Sequence, residues 1–227
     1  MTYVISDIHA EYDLFLTLLD RIHFSDEDVM YVCGDIIEKG KDSARLLQYV
    51  RSKKNIHCII GNHEYDFLKY YWSLTSANPD DFEEVLKKLQ QRLQPDGYLL
   101  DWDAIDWLES LPYYIETEKF ICVHAGLPLD GDMRVLPLSQ ASREQLVYDR
   151  NFKEPSVVPK TDKCIFFGHT PTSYLCNEAR ILAYERDTVG KDGAEKYCKV
   201  HLDLGVWLHG VMGCFCVENG KGYYVQK

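Results

Sequence analysis

The sequence predicts an α/β fold, on three observations. Five short apolar segments have the composition of buried strands, at residues 3–6, 29–33, 56–60, 119–123 and 164–167. Three segments near them carry apolar residues at helical spacing, namely YDLFLTLLDRI, SARLLQYVRS and EYDFLKYYWSL. The two kinds of segment alternate along the chain. Alternating strands and helices are typical of a largely parallel sheet with helices packed on it.

The C-terminal part follows a different pattern. Three segments predict strands joined by tight turns: RILAYERDTV, KVHLDLG and VMGCFCVENGKGYYVQ. We therefore expect a single domain over residues 1–227, in which the C-terminal part supplies a second, more antiparallel sheet. Residues 78–97, NPDDFEEVLKKLQQRLQPDG, predict a charged amphipathic helix on a solvated face or in a lid.

Length, charge and cysteine content limit the class of protein. A chain of 227 residues can bury one sizeable core. Its net charge of −11 disfavours binding to nucleic acid or to an anionic membrane, although bound cations would permit a small phosphorylated substrate. We expect neither a membrane span nor a signal peptide, because no apolar run is long enough and a strand is predicted from the third residue. Four of the eight cysteines lie in strand-like segments (Cys33, Cys58, Cys122, Cys164), which predicts reduced core thiols in a cytoplasmic protein.

Polar side chains follow each of the five strand-like segments at its carboxyl end. In chain order these are Asp7 and His9, Asp35, Asn62 and His63, His124, and His169. Carboxyl ends of parallel strands lie at one edge of a sheet, and ligands bind in the crevice outside that edge. A single Asp after a strand is usually a turn or helix-cap residue, and a single His is usually structural. Because all seven follow strands at the same end, we expect them to form one site.

The residue types in this set suit metal ions. Two carboxylates, several imidazoles and an amide, without a thiolate, favour divalent ions such as manganese, iron or zinc. The set has too many ligands for one ion, and a carboxylate can bridge two. The sequence therefore predicts two divalent ions, with Asn62 as a neutral oxygen ligand and His63 as a free imidazole beside them.

Five ordered motifs connect this pattern to a known family. SDIHA, GDIIEKG, GNHE, HAGL and GHT resemble the motifs of the metallo-dependent phosphoprotein phosphatases (serine/threonine protein phosphatases), within the calcineurin-like phosphoesterase superfamily. The stretch WLESLPYYIETEKFICVHAGLP is similar to bacterial members, and the resemblance covers nearly the whole chain. It implies two mixed β-sheets packed as a central sandwich and flanked by helices, in a four-layer α-β-β-α arrangement.

The resemblance also implies how the metal ligands are divided. One ion would be held by Asp7, His9 and Asp35, and the second by Asp35, Asn62, His124 and His169. Manganese is the first choice of metal, with iron or zinc as alternatives. A hydroxide held between the ions would attack phosphorus in line with the leaving group.

Further roles follow from the same resemblance. His63 would protonate the leaving alkoxide as general acid, oriented by Glu38, where the family has an Asp. Asn62 and Lys39 would contact the substrate phosphate, and Lys39 stands where the family has an Arg. A Lys binds phosphate as a point charge without the two-pronged fit of Arg, so we expect weaker substrate binding. Arg150, in EQLVYDRNF, is the candidate for the family's second phosphate-binding Arg.

Three functions are compatible with the sequence. The leading one is a metal-dependent phosphatase, most similar to a serine/threonine protein phosphatase, which hydrolyses a phosphorylated protein or a small phosphorylated substrate. The alternative is the symmetrical diadenosine-tetraphosphatase group, which shares the motifs and cleaves a phosphoanhydride instead. A non-catalytic, metal-binding regulatory module is the second alternative, suggested by the altered GDIIEKG motif. We expect substrate choice to depend on residues 70–105 and 171–198.

Overall fold

Strands and helices alternate through the first half of the chain. This computed structural model describes residues 1–76, 78, 80–84, 87–88, 101–186 and 191–227. The strands are β1 (Thr2–Ile5), β2 (Val29–Val32), β3 (Ile56–Cys58), β4 (Tyr114–Glu116), β5 (Phe120–Val123), β6 (Cys164–Phe167), β7 (Leu182–Glu185), β8 (Tyr197–His201), β9 (Val211–Cys216) and β10 (Lys221–Gln226). The α-helices are α1 (Tyr12–Arg21), α2 (Ser43–Ser52), α3 (Asn62–Thr75), α4 (Trp102–Ser110), α5 (Arg143–Tyr148), α6 (Ser173–Cys176) and α7 (Val206–His209).

The described strands form two mixed five-stranded sheets. The first has the order β10-β9-β1-β2-β3, in which β1, β2 and β3 are parallel and the hairpin β9-β10 is added antiparallel to β1. The second has the order β4-β5-β6-β8-β7, in which β5, β6 and β8 are parallel and the two edge strands are antiparallel. The predicted fold class, two mixed sheets flanked by helices, is confirmed.

The apolar core has three layers, because successive side chains of each strand point to opposite faces of its sheet. Val4 of β1 lies in the same cluster as Phe166 of β6, between the two sheets. The next residue, Ile5, points to the opposite face and lies in a cluster with Phe15 of α1. Ile165 of β6 lies in a third cluster, on the outer face of the second sheet. The sheets therefore pack on each other and carry helices on their outer faces.

The expectation for the second sheet is wrong in its details. Two of the three C-terminal segments lie in the second sheet as expected, as the antiparallel strands β7 and β8. The third segment, the hairpin β9-β10, joins the first sheet instead, where Tyr3 pairs with Cys216. The second sheet begins much earlier, at β4, so the five strand-like segments are divided between two sheets. Local sequence patterns cannot show which distant strands pair, because packing of neighbouring side chains decides the pairing.

Other expectations can also be compared with the structure. The helix predicted at 78–97 lies largely outside the described residues. The end of RILAYERDTV lies partly outside them. All eight cysteines are free, and the four predicted core thiols are buried, as expected. In the described part of the chain, no helix combines the length and apolarity needed to cross a membrane.

Candidate metal centre

Five parallel strands from the two sheets end at one edge. Backbone hydrogen bonds join the loops that follow them, from the Asp7 N–H to the Gly34 carbonyl (3.1 Å) and from the Gly168 N–H to the His124 carbonyl (2.8 Å). Asp7 Oδ2 accepts from the backbone N–H of His169 at 3.0 Å, which connects the first sheet to the second. The structure thus brings the predicted side chains together even though their strands belong to different sheets.

Asp35 lies at the centre of the cluster. Its Oδ1 is 3.4 Å from His124 Nε2, and its Oδ2 is 3.6 Å from His9 Nε2 and 3.8 Å from His63 Nε2. Two groups of three possible metal ligands share Asp35: His9, Asp35 and His63, and Asp7, Asp35 and His124, with ligand atoms within 4.8 Å of one another. These groups pair Asp7 with His124 and include His63, unlike the sets that the resemblance implies. A shared carboxylate at this position can contact two ions.

Asn62 and His169 lie beside the second of these groups. The Oδ1 atom of Asn62 is 2.9 Å from His124 Nε2 and 2.7 Å from His169 Nδ1. The other ring nitrogen of His124, Nδ1, is 2.8 Å from the Cys33 carbonyl, which can only accept a hydrogen bond. In a neutral His124 the proton therefore lies on Nδ1, and the lone pair of Nε2 faces the lone pairs of Asn62 and Asp35. A cation between these atoms would satisfy the converging lone pairs.

Two buried atoms point to the same conclusion. Among the described residues, Asp7 Oδ1 and His169 Nε2 have no hydrogen-bond partner although both are buried. An unpaired buried polar atom is costly, and a metal ion can supply the missing partner. The donor set consists of carboxylate, amide and imidazole atoms, which divalent ions of the manganese, iron and zinc type accept. The residues present therefore fit a divalent metal centre.

The imidazoles differ in their protonation. Burial lowers the pKa of His9 and His169 to about 3, so both are neutral and each ring has one nitrogen lone pair. Burial also opposes the charged form of His63, but the nearby Asp35 and the bonded Glu38 outweigh it and raise the pKa of His63 above its usual value. His63 is thus suited to carry a proton, whereas His9 and His169 are not.

Glu38 contacts His63 directly. Its Oε2 lies 2.5 Å from His63 Nδ1, which leaves Nε2 directed toward Asp35. The side chain of His63 is 17% exposed, whereas that of His9 is 1% exposed and that of His124 is fully buried. A proton on His63 can therefore reach a group bound outside the cluster.

The carboxylates also differ in protonation. Burial raises the pKa of Asp7 to about 6. Burial has the same effect on Asp35, but His124, His63 and His9 outweigh it and hold the pKa of Asp35 well below its usual range. Asp35, the carboxylate shared by the two groups, is thus the one held most firmly in its charged form.

The two predicted phosphate-binding cations lie at opposite parts of the cluster. Lys39 Nζ donates to His9 Nε2 at 2.9 Å and lies 4.9 Å from the centre of the Trp207 ring. Its ammonium thus occupies the lone pair with which His9 would bind an ion. Arg150 Nη1 is 3.4 Å from Thr170 Oγ1, and the charge of Arg150 contributes to the low pKa of His169.

Backbone strain is concentrated in these loops. Six of the predicted site residues have positive φ, and the values are 53° for Asp7, 48° for His9, 54° for Asp35, 67° for Glu38, 65° for Lys39 and 71° for His169. This region of φ is unfavourable for residues with a Cβ atom. Such strain is usually found at functional sites, where the surrounding structure holds it in place.

Sequence reasoning missed two residues that shape the centre. The buried carboxylate of Glu64 accepts from the backbone N–H groups of Asp35, Ile36, Ile37 and Gly61 at 2.7–3.1 Å, which holds the loop after β2 in place. Asp203 is buried near Asp7, and burial together with Asp7 raises its pKa well above the usual value. Glu64 belongs to the GNHE motif, and Asp203 directly follows the strand-like VHL, so both could have been found.

Comparison with known proteins agrees with this site. A model of the calcineurin-like phosphoesterase family matches residues 2–210. The symmetrical bis(5'-nucleosyl)-tetraphosphatase of Wigglesworthia glossinidia brevipalpis is 32% identical over 157 residues, which are 67% of this chain and 54% of that protein. The enzyme of the same name from Haemophilus ducreyi is 26% identical over 67% of this chain and 55% of its own length. The chain thus spans about half the length of the curated relatives it matches.

Solved structures share the fold at low sequence identity. A protein provisionally assigned as a diadenosine tetraphosphatase has a TM-score of 0.70 and 16% identity, with 99% of this chain and 92% of that chain covered. A cold-active protein-tyrosine phosphatase from a Shewanella species has a TM-score of 0.60 and 19% identity, with 99% and 80% covered. The motifs, the converging ligands and the match over residues 2–210 lead to one conclusion: the chain belongs to the calcineurin-like phosphoesterase family, whose members are dinuclear metallophosphoesterases.

Proposed function

We propose that this chain hydrolyses a phosphoanhydride bond in a dinucleotide polyphosphate of the diadenosine tetraphosphate class. The observation that carries the proposal is the match over two thirds of the chain to relatives named symmetrical bis(5'-nucleosyl)-tetraphosphatases. The sequence alone favoured a serine/threonine protein phosphatase and gave this activity as the alternative. The relatives favour the alternative, so we reverse the order.

In this proposal the converging ligands bind two divalent ions, with manganese as the first choice. Asp7, His9 and Asp35 would hold one ion, and Asp35, Asn62, His124 and His169 the other. When bound, such ions activate water and neutralise charge on the transferred phosphate. Before His9 can bind an ion, Lys39 has to leave His9 Nε2, where its ammonium now lies. Moved toward the solvent, the same ammonium can bind a phosphate oxygen.

His63 is the proposed general acid. The 2.5 Å contact of Nδ1 with Glu38 orients the ring, and its raised pKa favours the protonated form. The proton on Nε2 would pass to the oxygen of the leaving phosphate. Glu38 is one methylene longer than the Asp of the family, and the contact supports the view that the longer side chain can serve the same purpose.

Arg150 is the proposed second phosphate ligand. It lies beside Thr170 and within electrostatic reach of His169, while Lys39 lies beside His9. Lys39 is therefore near His9 and Arg150 is near His169. In the proposal these two imidazoles bind different ions. A polyphosphate crossing the centre would meet both Lys39 and Arg150.

A comparison of substrates tests this function. Protein stripped with a chelator is reloaded with Mn²⁺, Mg²⁺ or Zn²⁺ and assayed on diadenosine tetraphosphate, on a phosphoserine peptide and on an aryl phosphate. We expect metal-dependent cleavage of the dinucleotide to ADP, at a kcat/KM at least tenfold above that for the peptide. Faster cleavage of the peptide would restore the protein-phosphatase interpretation. Metal binding without turnover of any substrate would favour the regulatory module.

A further inference from the structure

A groove of about 440 Å³ lies along helix α3, whose first residues belong to the candidate metal centre. Six of its lining residues matter here, three aromatic, two basic and one acidic: Tyr65, Trp72, Tyr113, Lys69, Arg143 and Glu109. None of them belongs to the metal ligands or to the predicted catalytic residues. We call this surface the α3 groove.

Helix geometry connects the groove to the metal centre. Helix α3 begins at Asn62 and His63, and Tyr65, Lys69 and Trp72 follow at intervals of four and three residues. This spacing places the three side chains on one helix face, in successive turns. At 1.5 Å per residue, Trp72 lies about 14 Å along the helix axis from His63. Helix α3 therefore carries residues of the metal centre at its start and the groove residues along the turns that follow.

Aromatic rings fill the space between the centre and the groove. The ring of His169 is 6.4 Å from that of Tyr148, measured between ring centres, and Tyr148 is 6.0 Å from Tyr65. Tyr65 is in turn 6.0 Å from Tyr113, across the groove. All three pairs have edge-to-face geometry, which is a favourable aromatic contact. The groove wall is thus packed against a residue of the metal centre.

The basic residues of the groove are placed to bind an anion. Lys69 Nζ lies 4.3 Å from the centre of the Tyr65 ring, and Arg143 lies 5.1 Å from that of Tyr113. The nearby carboxylate of Glu144 accepts from the Tyr65 hydroxyl at 2.8 Å, and Lys69 and Arg143 both contribute to its lowered pKa. Neither cation forms an ion pair within 4.0 Å among the described residues, so N–H donors of both remain for a phosphate. Two such cations on either side of one groove attract negative charge.

Trp72 offers a surface for a flat ring. The residue is 48% exposed, and its Nε1 donates to Glu109 Oε1 at 2.5 Å, which fixes the orientation of the indole. Nucleobases stack on exposed aromatic rings regardless of their hydrogen-bonding edges. Because the ring is already held in place, little side-chain freedom is lost on binding.

We propose that the α3 groove binds one nucleoside diphosphate half of the dinucleotide substrate, the half that extends beyond the cleaved anhydride. Lys69 and Arg143 bind its phosphate oxygens, and Trp72 stacks on its base. This inference rests on the proposed function, since it assigns a place to the part of the substrate that the metal centre does not contact. In this proposal the groove is the part of the protein that makes it selective for a dinucleotide over a small phosphate ester.

Substitutions in the groove test the proposal. The variants are Trp72→Ala, Trp72→Phe and the double variant Lys69→Gln with Arg143→Gln. Two matched controls lie outside the groove: Trp102→Ala, at an indole that is 70% exposed, and Lys221→Gln, on strand β10. Metal-loaded proteins are assayed for KM on diadenosine tetraphosphate and on p-nitrophenyl phosphate. Calorimetry gives the Kd of the P2,P3-methylene analogue of diadenosine tetraphosphate. Thermal unfolding verifies that each variant is folded.

The expected pattern is specific to the long substrate. Trp72→Ala and the double Gln variant should each raise the dinucleotide KM and the analogue Kd at least tenfold, with the KM for p-nitrophenyl phosphate changed less than twofold. Trp72→Phe and both controls should stay within threefold of the unsubstituted protein. If that protein cleaves the dinucleotide and the groove variants bind the analogue as the controls do, the groove proposal is overturned and the function stands. If it cleaves the phosphoserine peptide and ignores the dinucleotide, the function fails and the groove assignment with it.

Discussion

At the level of single residues, the histidines of the cluster differ in the role they can take. His63 is suited to be a general acid, and the others to be metal ligands. The ring of His63 is held by Glu38 through Nδ1 and is partly exposed, while His9 and His124 are buried and directed at Asp35. A ligand must be neutral to bind a metal ion, and a general acid must be protonated. The opposite shifts in pKa, upward for His63 and downward for His9, match that division.

Replacement of His63 by Asn should therefore remove turnover and keep the metals. We expect kcat on an alkyl phosphate to fall by about 10²–10⁴, because an alkoxide leaves poorly without a proton. The loss on diadenosine tetraphosphate should be smaller, since ADP is a better leaving group. Steady-state kinetics over a series of leaving groups, with metal content by atomic absorption, measures both effects. Undiminished activity on the alkyl phosphate would exclude His63 as the acid.

Glu64 should be important for stability, because its two oxygens accept from four backbone N–H groups of the loops after β2 and β3. In Glu64→Gln one oxygen becomes an NH₂ group that faces two of these donors. Each buried donor left without a partner costs about 1–3 kcal/mol, so the free energy of unfolding should fall by roughly 2–6 kcal/mol. Urea denaturation measures the loss. Glu118→Gln, at an exposed position, is the control, and an equal effect in both variants would contradict this account.

Lys199 is a buried cation that local patterns did not identify. Its Nζ donates to the backbone carbonyls of Phe152 and Glu154 at 2.7 and 2.8 Å, and burial lowers its pKa from 10.5 to about 8. Between about pH 8 and 10.5 the unfolded chain still holds the proton that the folded chain has lost. The contribution of Lys199 to the free energy of unfolding should thus rise with pH in this window.

The comparison with Lys199→Met isolates this contribution. Ionisation of other groups is common to both proteins and cancels in the difference between their free energies of unfolding. We expect that difference to shift in favour of the unsubstituted protein by roughly 1–3 kcal/mol between pH 7.5 and 10. Urea titrations at several pH values give the curve. A difference that does not vary with pH would mean that Lys199 keeps an ordinary pKa in the folded chain.

At the level of elements, the site depends on how closely the ends of β1 and β6 approach. The loop after β6 comes so near to the loop after β1 that a Cβ atom at Gly168 would overlap Asp7 Oδ2 and Ser6 Oγ. The same contact includes the hydrogen bond from the His169 N–H to Asp7. The two sheets therefore meet at a position where only glycine fits.

Gly168→Ala should consequently push the two strand ends apart. Because Asp7 and His169 are proposed to hold different ions, their separation should weaken Mn²⁺ binding at least tenfold and cost about 1–3 kcal/mol of stability. Calorimetric titration with Mn²⁺ measures the affinity. Gly131→Ala is the matched control, since no atom lies within 4 Å of a Cβ built there. Equal affinities in the two variants would show that this approach is not needed for metal binding.

Local elements could be predicted because their signals are local. The apolar periodicity of YDLFLTLLDRI and SARLLQYVRS corresponds to α1 and α2, and CIFF corresponds to β6. The pairing of β9 with β1 could not be predicted in this way, since residues about 200 positions apart in sequence meet through side-chain packing. The positive φ values of Asp7 and Asp35 were equally hidden, because strain depends on the surrounding loops.

At the level of the whole molecule, the site was predictable although the sheet arrangement was not. The seven side chains come together whenever their strands run in the same direction and end at the same side of the molecule. Strands β1, β2, β3, β5 and β6 meet that condition in two packed sheets as well as in one. The direction in which Lys39 points, toward His9, could not be foreseen from the motif, since it depends on Trp207 from a distant part of the chain.

The metal centre should also stabilise the whole fold. Asp7, Asp35 and Asp203 are buried close together, and without cations burial and the neighbouring carboxylates raise the pKa of Asp7 and of Asp203, which disfavours their charged forms in the folded chain. A metal ion that binds only the folded chain adds about 2.7 kcal/mol at a hundredfold excess over Kd. For a chain of 227 residues this corresponds to a rise in Tm of about 5–10 °C.

Differential scanning calorimetry with chelator and with Mn²⁺ measures this rise. Asp35→Asn should abolish most of it, because Asp35 belongs to both ligand groups and Asn carries no charge to attract the ions. The same variant should be less stable than the unsubstituted protein in chelator, because His124, His63 and His9 hold the pKa of Asp35 below its usual range and the folded chain thus favours its charged form. An equal rise in Tm for both proteins would place the stabilising ion somewhere other than this cluster, and the assignment of Asp35 as the shared ligand would then be wrong.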